Sequence, residues 1–252
     1  MRLSANLGFL FRELALPDAI RAAGRHGFGA VEMHWPYETD PKVVAAALAE
    51  TNLPLLGVNT VRGDVDAGDF GLSAVPGRQA EARAAIDQAV AWSAAAGCRN
   101  IHVMAGKATG REAFDTFAEN LRYAAGRASA HGIGILIEPI NPRDAPGYYL
   151  ADLPTALGLV DATGGAVRVM FDCYHMQIVH GDLSHAVRTH LSAIGHIQFA
   201  AVPDRGEPDH GEVDYRWLLN DFQDAGYQGF YGAEYRPLTG SFAWMEDYGR
   251  AG

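Results

Sequence analysis

Four oxygen-bearing side chains stand at the ends of apolar runs in this sequence. Glu138 follows IGILI, Asp172 follows VRVMF, Gln198 follows GHI and Glu234 follows FYGA. Glutamate has poor strand propensity, and an ionised carboxylate at the end of a buried strand needs a partner. Three carboxylates and an amide oxygen make a hard donor set, which suits Mg²⁺ or Mn²⁺ better than zinc. Any one of the four alone reads as a helix cap or an ion-pair partner; together, on four successive strands, they read as a site. Glu32, His34 and Asn59 close two earlier runs and fit either the same site or local packing. His102, inside another run, reads as a satisfied histidine of the core or the mouth. His180, His185 and His190 recur at a spacing that walks around a helix and places them on the surface. Cys173 has no basic neighbour to activate it and reads as packed. The lysine of Gly106–Gly110 (GKATG) is misplaced for a phosphate-binding loop, so that stretch reads as a turn between strand and helix.

Bringing four strand ends to one place requires a regular frame. Eight β-type runs recur, at Leu3–Leu10, Ala30–Trp35, Pro54–Thr60, Asn100–Gly106, Gly134–Ile140, Val167–Asp172, His196–Val202 and Phe230–Tyr235. Between them lie segments with helical spacing: 15–27, 77–97, 111–132, 153–165, 183–195 and 214–226, each closing on a glycine able to supply a left-handed turn. Eight strands alternating with helices in 252 residues imply parallel pairing and predict an α/β fold, a single (β/α)8 TIM barrel spanning residues 1–252. A doubly wound open sheet usually carries fewer strands and a glycine-rich phosphate turn, and neither GxGxxG nor GxxxxGK[ST] occurs here. Catalytic groups of such barrels sit at the C-terminal mouth. The polar stretch 61–77, VRGDVDAGDFGLSAVPG, reads as a loop over that mouth.

Composition narrows the function. Hydrophobic residues make up 48 % and charged residues 20 %, which excludes wholesale disorder. Twenty Lys and Arg against thirty Asp and Glu give a net charge of −10, which opposes nucleic-acid and membrane-surface partners. No run approaches the ~18 apolar residues of a membrane span. Arg12 and Glu13 interrupt the N-terminal apolar run, which argues against a signal peptide. Cys98 and Cys173 are too few for a disulfide scaffold or a cysteine-based zinc site. These features predict a reduced, cytoplasmic protein with a small-molecule substrate; a homo-oligomer is compatible with them.

Longer motifs add to this reading. NLGFLFRELAL, VPGRQAEARAAI, NIHVMAG, LIEPIN with GYYL, FDCYHMQI with GDL, HIQFAAVPDRGEPDHGEVDY and GFYGAEYRP cover the runs from first to last. The set resembles the hydroxypyruvate isomerase family of xylose-isomerase-like TIM barrels, which includes 2-oxo-tetronate isomerases. The resemblance implies a divalent metal held by Glu138, Asp172, Gln198 and Glu234, with the two glutamates exchanging a proton with the substrate. It makes His175 and Arg205 substrate-binding residues; taken alone, Arg205 is equally a solvated loop arginine. The implied activity is an aldose–ketose type isomerisation of a small 2-oxo acid, hydroxypyruvate or 2-oxo-tetronate, through an enediolate. A ketose 3-epimerase, using the same metal and glutamates, is the alternative. The wider family usually has histidine where this chain has Gln198, which looks like the isomerase branch. His210 stands where the family often has a small residue. A metal-dependent endonuclease of the same superfamily is opposed by the charge, and a non-catalytic sugar-acid binder by the presence of both glutamates.

Overall fold

The computed structural model describes residues 1–248. Eight strands alternate with helices along the chain: β1 (Leu3–Asn6), α1 (Leu16–Arg25), β2 (Ala30–Glu32), α2 (Pro41–Thr51), β3 (Val58–Asn59), α3 (Gln79–Ala96), β4 (Asn100–His102), α4 (Gly110–Ser129), β5 (Gly134–Ile137), α5 (Leu153–Ala162), β6 (Arg168–Asp172), α6 (Cys173–Val179), α7 (Leu183–His190), β7 (Ile194–Phe199), α8 (Tyr215–Asp224) and β8 (Tyr231–Ala233). All pairings are parallel, in the order β2-β1-β8-β7-β6-β5-β4-β3. The two end strands meet through backbone bonds that run beyond their regular portions. Val31 N–H donates to Pro54 O (3.0 Å), Leu56 N–H to Val31 O (2.9 Å), Met33 N–H to Gly57 O (3.0 Å) and Asn59 N–H to His34 O (2.8 Å). This seam brings the sheet round into the TIM barrel that the strand count predicts.

Period-two alternation decides what faces the helices and what faces the lumen. Ile135 and Ile137, Val169 and Phe171, Ile197 and Phe199, and Tyr231 and Ala233 join the apolar core beneath the helices. Their alternates, Glu138, Asp172, Gln198 and Glu234, therefore share the inner face near the C-terminal ends. Aspartates set several helix starts by accepting backbone N–H groups: Asp40 from Lys42 (2.9 Å), Asp152 from Thr155 (2.8 Å) and Asp214 from Trp217 (3.1 Å). Gly97 (φ 74°) and Gly226 (φ 107°) follow α3 and α8 in the left-handed region, as the sequence predicts.

Three local expectations are corrected. Helices α2 and α6 were not among the segments read as helical; α6 has only seven residues and starts directly from the Asp172 carboxylate, which accepts from Tyr174 N–H at 2.8 Å. Gly195 does not end a helix but lies within β7. The strand runs are shorter than their apolar stretches, because the chain leaves the sheet to build the mouth. In the polar stretch 61–77, residues 71–74 are buried, with Ser73 N–H bonded to Met104 O and Ala74 N–H to Ala105 O. Among the described residues no helix is long and apolar enough to cross a membrane.

The loop after β7 carries Arg205 and is tied to the loop after β8 by Glu207. Its buried carboxylate accepts from Leu238 N–H (3.1 Å), Thr239 N–H and hydroxyl (each 2.9 Å) and Gly240 N–H (3.2 Å). Burial pushes the carboxyl pKa up, but these donors outweigh it and hold the pKa below its ordinary value. E207Q is expected to lose about 1–3 kcal/mol at pH 7. A depressed folded-state pKa stabilises fully above the unfolded value of ~4.3. The advantage over E207Q should therefore fade as pH falls through the lower folded value. Denaturant melts of both proteins from pH 7 to pH 3 measure it, and a pH-independent difference would contradict it.

Candidate active site

At the C-terminal ends of the strands lies a cavity of about 400 Å³ whose walls include Glu138, His175, Arg205 and Glu234, with Arg62 and Phe70 from segment 61–77. Each carboxylate arrives by a different route. Glu138 follows β5 directly, and among the described residues its carboxylate has no close hydrogen-bond donor; His102 Nδ1 lies at 3.5 Å and His175 Nε2 at 3.7 Å. Asp172 ends β6 and is fully buried; its Oδ2 lies 3.5 Å from His175 Nε2. Glu234 follows β8 and is clasped by Asn6 Nδ2 (3.0 Å), His34 Nε2 (2.8 Å) and Arg205 (2.9 Å). Glu138, Asp172 and His175 each offer an atom within 4.8 Å of the others, all buried, a cluster that could hold a metal ion.

The hydrogen bonds around His175 define its tautomer. Asn141 Oδ1 accepts from Arg143 N–H and Asp144 N–H (both 3.0 Å), which fixes the amide with Nδ2 toward His175. His175 Nδ1 then accepts from Asn141 Nδ2 (2.6 Å) and from Asn141 N–H (3.3 Å). Burial lowers the His175 pKa well below its ordinary value, so the ring is neutral and its proton sits on Nε2. That N–H points toward the two carboxylates.

Arg205 is not a solvated loop residue. It is 7 % exposed, and one terminal nitrogen reaches Asp172 Oδ2 (3.3 Å) and Glu234 Oε2 (2.9 Å) while the other reaches Asp144 Oδ2 (3.2 Å). Its Nε–H is buried and meets no acceptor among the described residues. Gln198, the register partner of Asp172, donates Nε2–H to Glu32 Oε2 at 2.8 Å, and its Oε1 is buried and meets no donor among the described residues. The structure thus brings Glu138, Glu234, His175 and Arg205 to the cavity wall, with Asp172 beside them and Gln198 next to Asp172 on β7.

Electrostatics separate the carboxyls. Burial, then the charges of Glu234 and Asp172, push Glu138 well above the ordinary range. Burial raises Asp172 to about 7, against the pull of Arg205. For Glu234, burial is outweighed by the Arg205 charge and the His34 hydrogen bond, which hold it down to about 2. The two glutamates of one cavity thus sit in unlike surroundings: among the described residues Glu138 has no close donor, whereas Glu234 is clasped by Arg205 and His34.

The other sequence candidates sort clearly. His34 and Asn59 line the cavity, and Glu32 lies beneath it beside Gln198. His102 is not a satisfied histidine: Nδ1 lies 3.3 Å from Asn59 Oδ1, Nε2 has no partner among the described residues, and burial pushes its pKa down to about 3. His180 and His185 are exposed, His190 is half-buried and Cys173 is buried. Ser4, His196 and Asn6 were missed. Their signal is the polar residue two positions from another at a strand end: Ser4 and Asn6, His196 and Gln198.

A closed parallel barrel with buried carboxylates at its C-terminal mouth defines the class, and the comparisons agree. Residues 20–248 match the family model described as xylose isomerase-like TIM barrel. The 2-oxo-tetronate isomerase of Cupriavidus necator is 41 % identical over 255 residues, covering 98 % of each chain. The hydroxypyruvate isomerase of Escherichia coli is 36 % identical over 98 % of this chain and 99 % of its own. A crystal structure from Brucella melitensis, described as an AP endonuclease of family 2, superposes with a TM-score of 0.94 at 40 % identity, covering 98 % of both chains. The chain belongs to the hydroxypyruvate isomerase family of xylose isomerase-like TIM barrels, and it is an isomerase of that family.

Arg205 is the cation that answers Asp172 and Glu234 in this arrangement. R205M would leave two buried carboxylates without it, at a cost of about 3–5 kcal/mol. Urea melts in chelator should show that loss; a change under 1 kcal/mol would mean that the acids are neutral at pH 7.

Proposed function

We propose that this isomerase moves a carbonyl between adjacent carbons of a small sugar acid, a 2-oxo acid such as hydroxypyruvate or 2-oxo-tetronate, through an enediolate. One observation carries the reading: Glu138 and Glu234 face one cavity together with the His175 N–H and the Arg205 guanidinium. Abstracting a proton beside a carbonyl and returning one to the neighbouring carbon needs a base and an acid within reach of adjacent atoms. Glu138 and Glu234 supply that pair. His175 Nε2–H donates to a substrate oxygen, held in that role because Nδ1 is occupied by Asn141. Arg205, whose guanidinium lines the cavity, anchors the acid group. Arg12, Arg62 and Arg236 also line the cavity and add positive charge suited to an anionic substrate. Segment 61–77 covers the mouth through Arg62 and Phe70.

The side chains fit a divalent metal. Three buried carboxyl groups face a single guanidinium, and among the described residues the Gln198 amide oxygen meets no donor. Glu138, Asp172, Gln198 and Glu234 would hold Mg²⁺ or Mn²⁺, which supplies positive charge to substrate oxygens as negative charge develops on them. His175 belongs to the buried cluster that could hold the ion; with its proton on Nε2 it acts in this reading as a donor to substrate.

Chelation should abolish turnover, and Mg²⁺ or Mn²⁺ should restore it; full activity in protein verified as metal-free would overturn the metal reading. E138Q and E234Q keep an oxygen but lose the base, and each is expected to lower kcat by ~10²–10⁴-fold. In deuterated solvent the wild type should place deuterium on the carbon beside the carbonyl, and at least one variant should lose that exchange. A panel of 2-oxo acids and free ketoses decides the substrate class: turnover confined to ketoses, with inversion at carbon 3, would replace this reading by a 3-epimerase.

A further inference from the structure

Beneath the cavity, behind Gln198, lies a polar group formed by Ser4, Glu32 and His196 that the chemistry above does not use. Strand register aligns Asp172, Gln198, Gly232 and Ser4 across β6, β7, β8 and β1. Gly232 has no side chain, and the carboxylate of Glu32, from β2, fills that place. A Cβ on residue 232 would lie 2.4 Å from Glu32 Oε1 and 2.8 Å from Gln198 Cγ. Glu32 is 4 % exposed and surrounded by donors. Its Oε1 accepts from Ser4 Oγ at 2.5 Å, with His196 Nε2 at 3.0 Å, and its Oε2 accepts from Gln198 Nε2 at 2.8 Å.

The chemistry of the two partners fixes their relative orientation. An ionised carboxylate only accepts, whereas an amide presents a donor on one side and an acceptor on the other. Glu32 therefore dictates that Gln198 turns its nitrogen inward and its oxygen the other way. That oxygen is buried and meets no donor among the described residues. A buried acceptor left in this state is unfavourable unless something electropositive meets it. Groups that orient metal ligands from behind act in this way.

We propose that Glu32 is a positioning residue that sets which face Gln198 shows to the divalent ion, so that the amide oxygen and never the NH₂ is presented. The Ser4 hydroxyl holds Glu32 in place, the His196 ring packs against it with Nε2 3.0 Å from Oε1, and the bare backbone of Gly232 makes room for it. This rests on the reading of Gln198 as a metal ligand given above. A glutamine at position 32 could either accept or donate, so the Gln198 amide would be free to turn.

Mn²⁺ binding to chelated, substrate-free protein tests the proposal, by calorimetry and by the electron paramagnetic resonance signal of the bound ion. E32Q should weaken Mn²⁺ at least ~10-fold, within the range typical of groups that orient metal ligands. The swapped double variant E32Q/Q198E restores a donor–acceptor pair and presents a carboxylate oxygen whichever way position 198 turns, so its affinity should return to within about threefold of wild type, in line with a recovered hydrogen bond behind the ligand. A purely structural role for Glu32 would lower Tm in E32Q but leave the affinity of the folded protein unchanged, and that result overturns the proposal. So does a double variant that binds no better than E32Q. If E32Q does not fold, the double variant decides alone: affinity near wild type upholds the proposal and its loss overturns it. D172N separates the two layers. If wild type does not bind Mn²⁺, or D172N binds it equally well, the metal reading itself has failed; if D172N loses the ion and E32Q does not, only the role of Glu32 has failed.

Discussion

Negative charge buried inside the barrel is the constraint on which the rest of this structure depends. Glu32, Glu138, Asp172 and Glu234 all lie within a lumen that is almost closed to water. An uncompensated carboxylate there carries a penalty of several kcal/mol, so each must be paired, protonated or matched by a bound cation. The chain uses different answers at different depths. Glu32 is surrounded by donors, Glu234 is held by Arg205 and His34, and Asp172 shares Arg205. Among the described residues Glu138 is left without a close donor, and burial raises its pKa. The unevenness separates groups of the same type into groups with different tasks.

Arg205 makes the arrangement possible, and the chain accommodates it at some local cost. Its backbone is left-handed, with φ of 59°, a conformation that L residues other than glycine adopt at a cost of roughly 1–2 kcal/mol. The loop that imposes it is anchored by the four-donor grip on Glu207. Gly211 packs so closely on Val202 O that a Cβ would stand 2.4 Å from it. Stability at the mouth is thus directed toward one guanidinium whose planar fork meets three acids.

The frame was legible because its signals are local. Apolar runs, caps and closing glycines each occupy a few neighbouring residues, and a glutamate such as Glu138 or Glu234 after an apolar run contradicts its surroundings openly. What crosses the barrel was not legible. The contact of Glu32 with Gln198 joins β2 to β7 over a missing side chain at Gly232, and nothing near position 32 announces it. The pairing of Arg205 with Asp172 and Glu234 depends on a loop conformation rather than on spacing. Helix α6 was hidden because its seven residues are mostly buried and show no amphipathic face. The tautomer of His175 follows from backbone donors to Asn141, which only coordinates reveal.

The seam between the second and third strands has a consequence for how the barrel and its chemistry are linked. One of its four bonds is accepted by the carbonyl of His34, the residue whose ring also grips Glu234. The same residue therefore fastens the circle and steadies one of its acids. If thermal breathing parts the staves at that joint, the carboxylate loses a partner in the same motion. Closure of the hoop and the hold on one catalytic acid thus share a single residue.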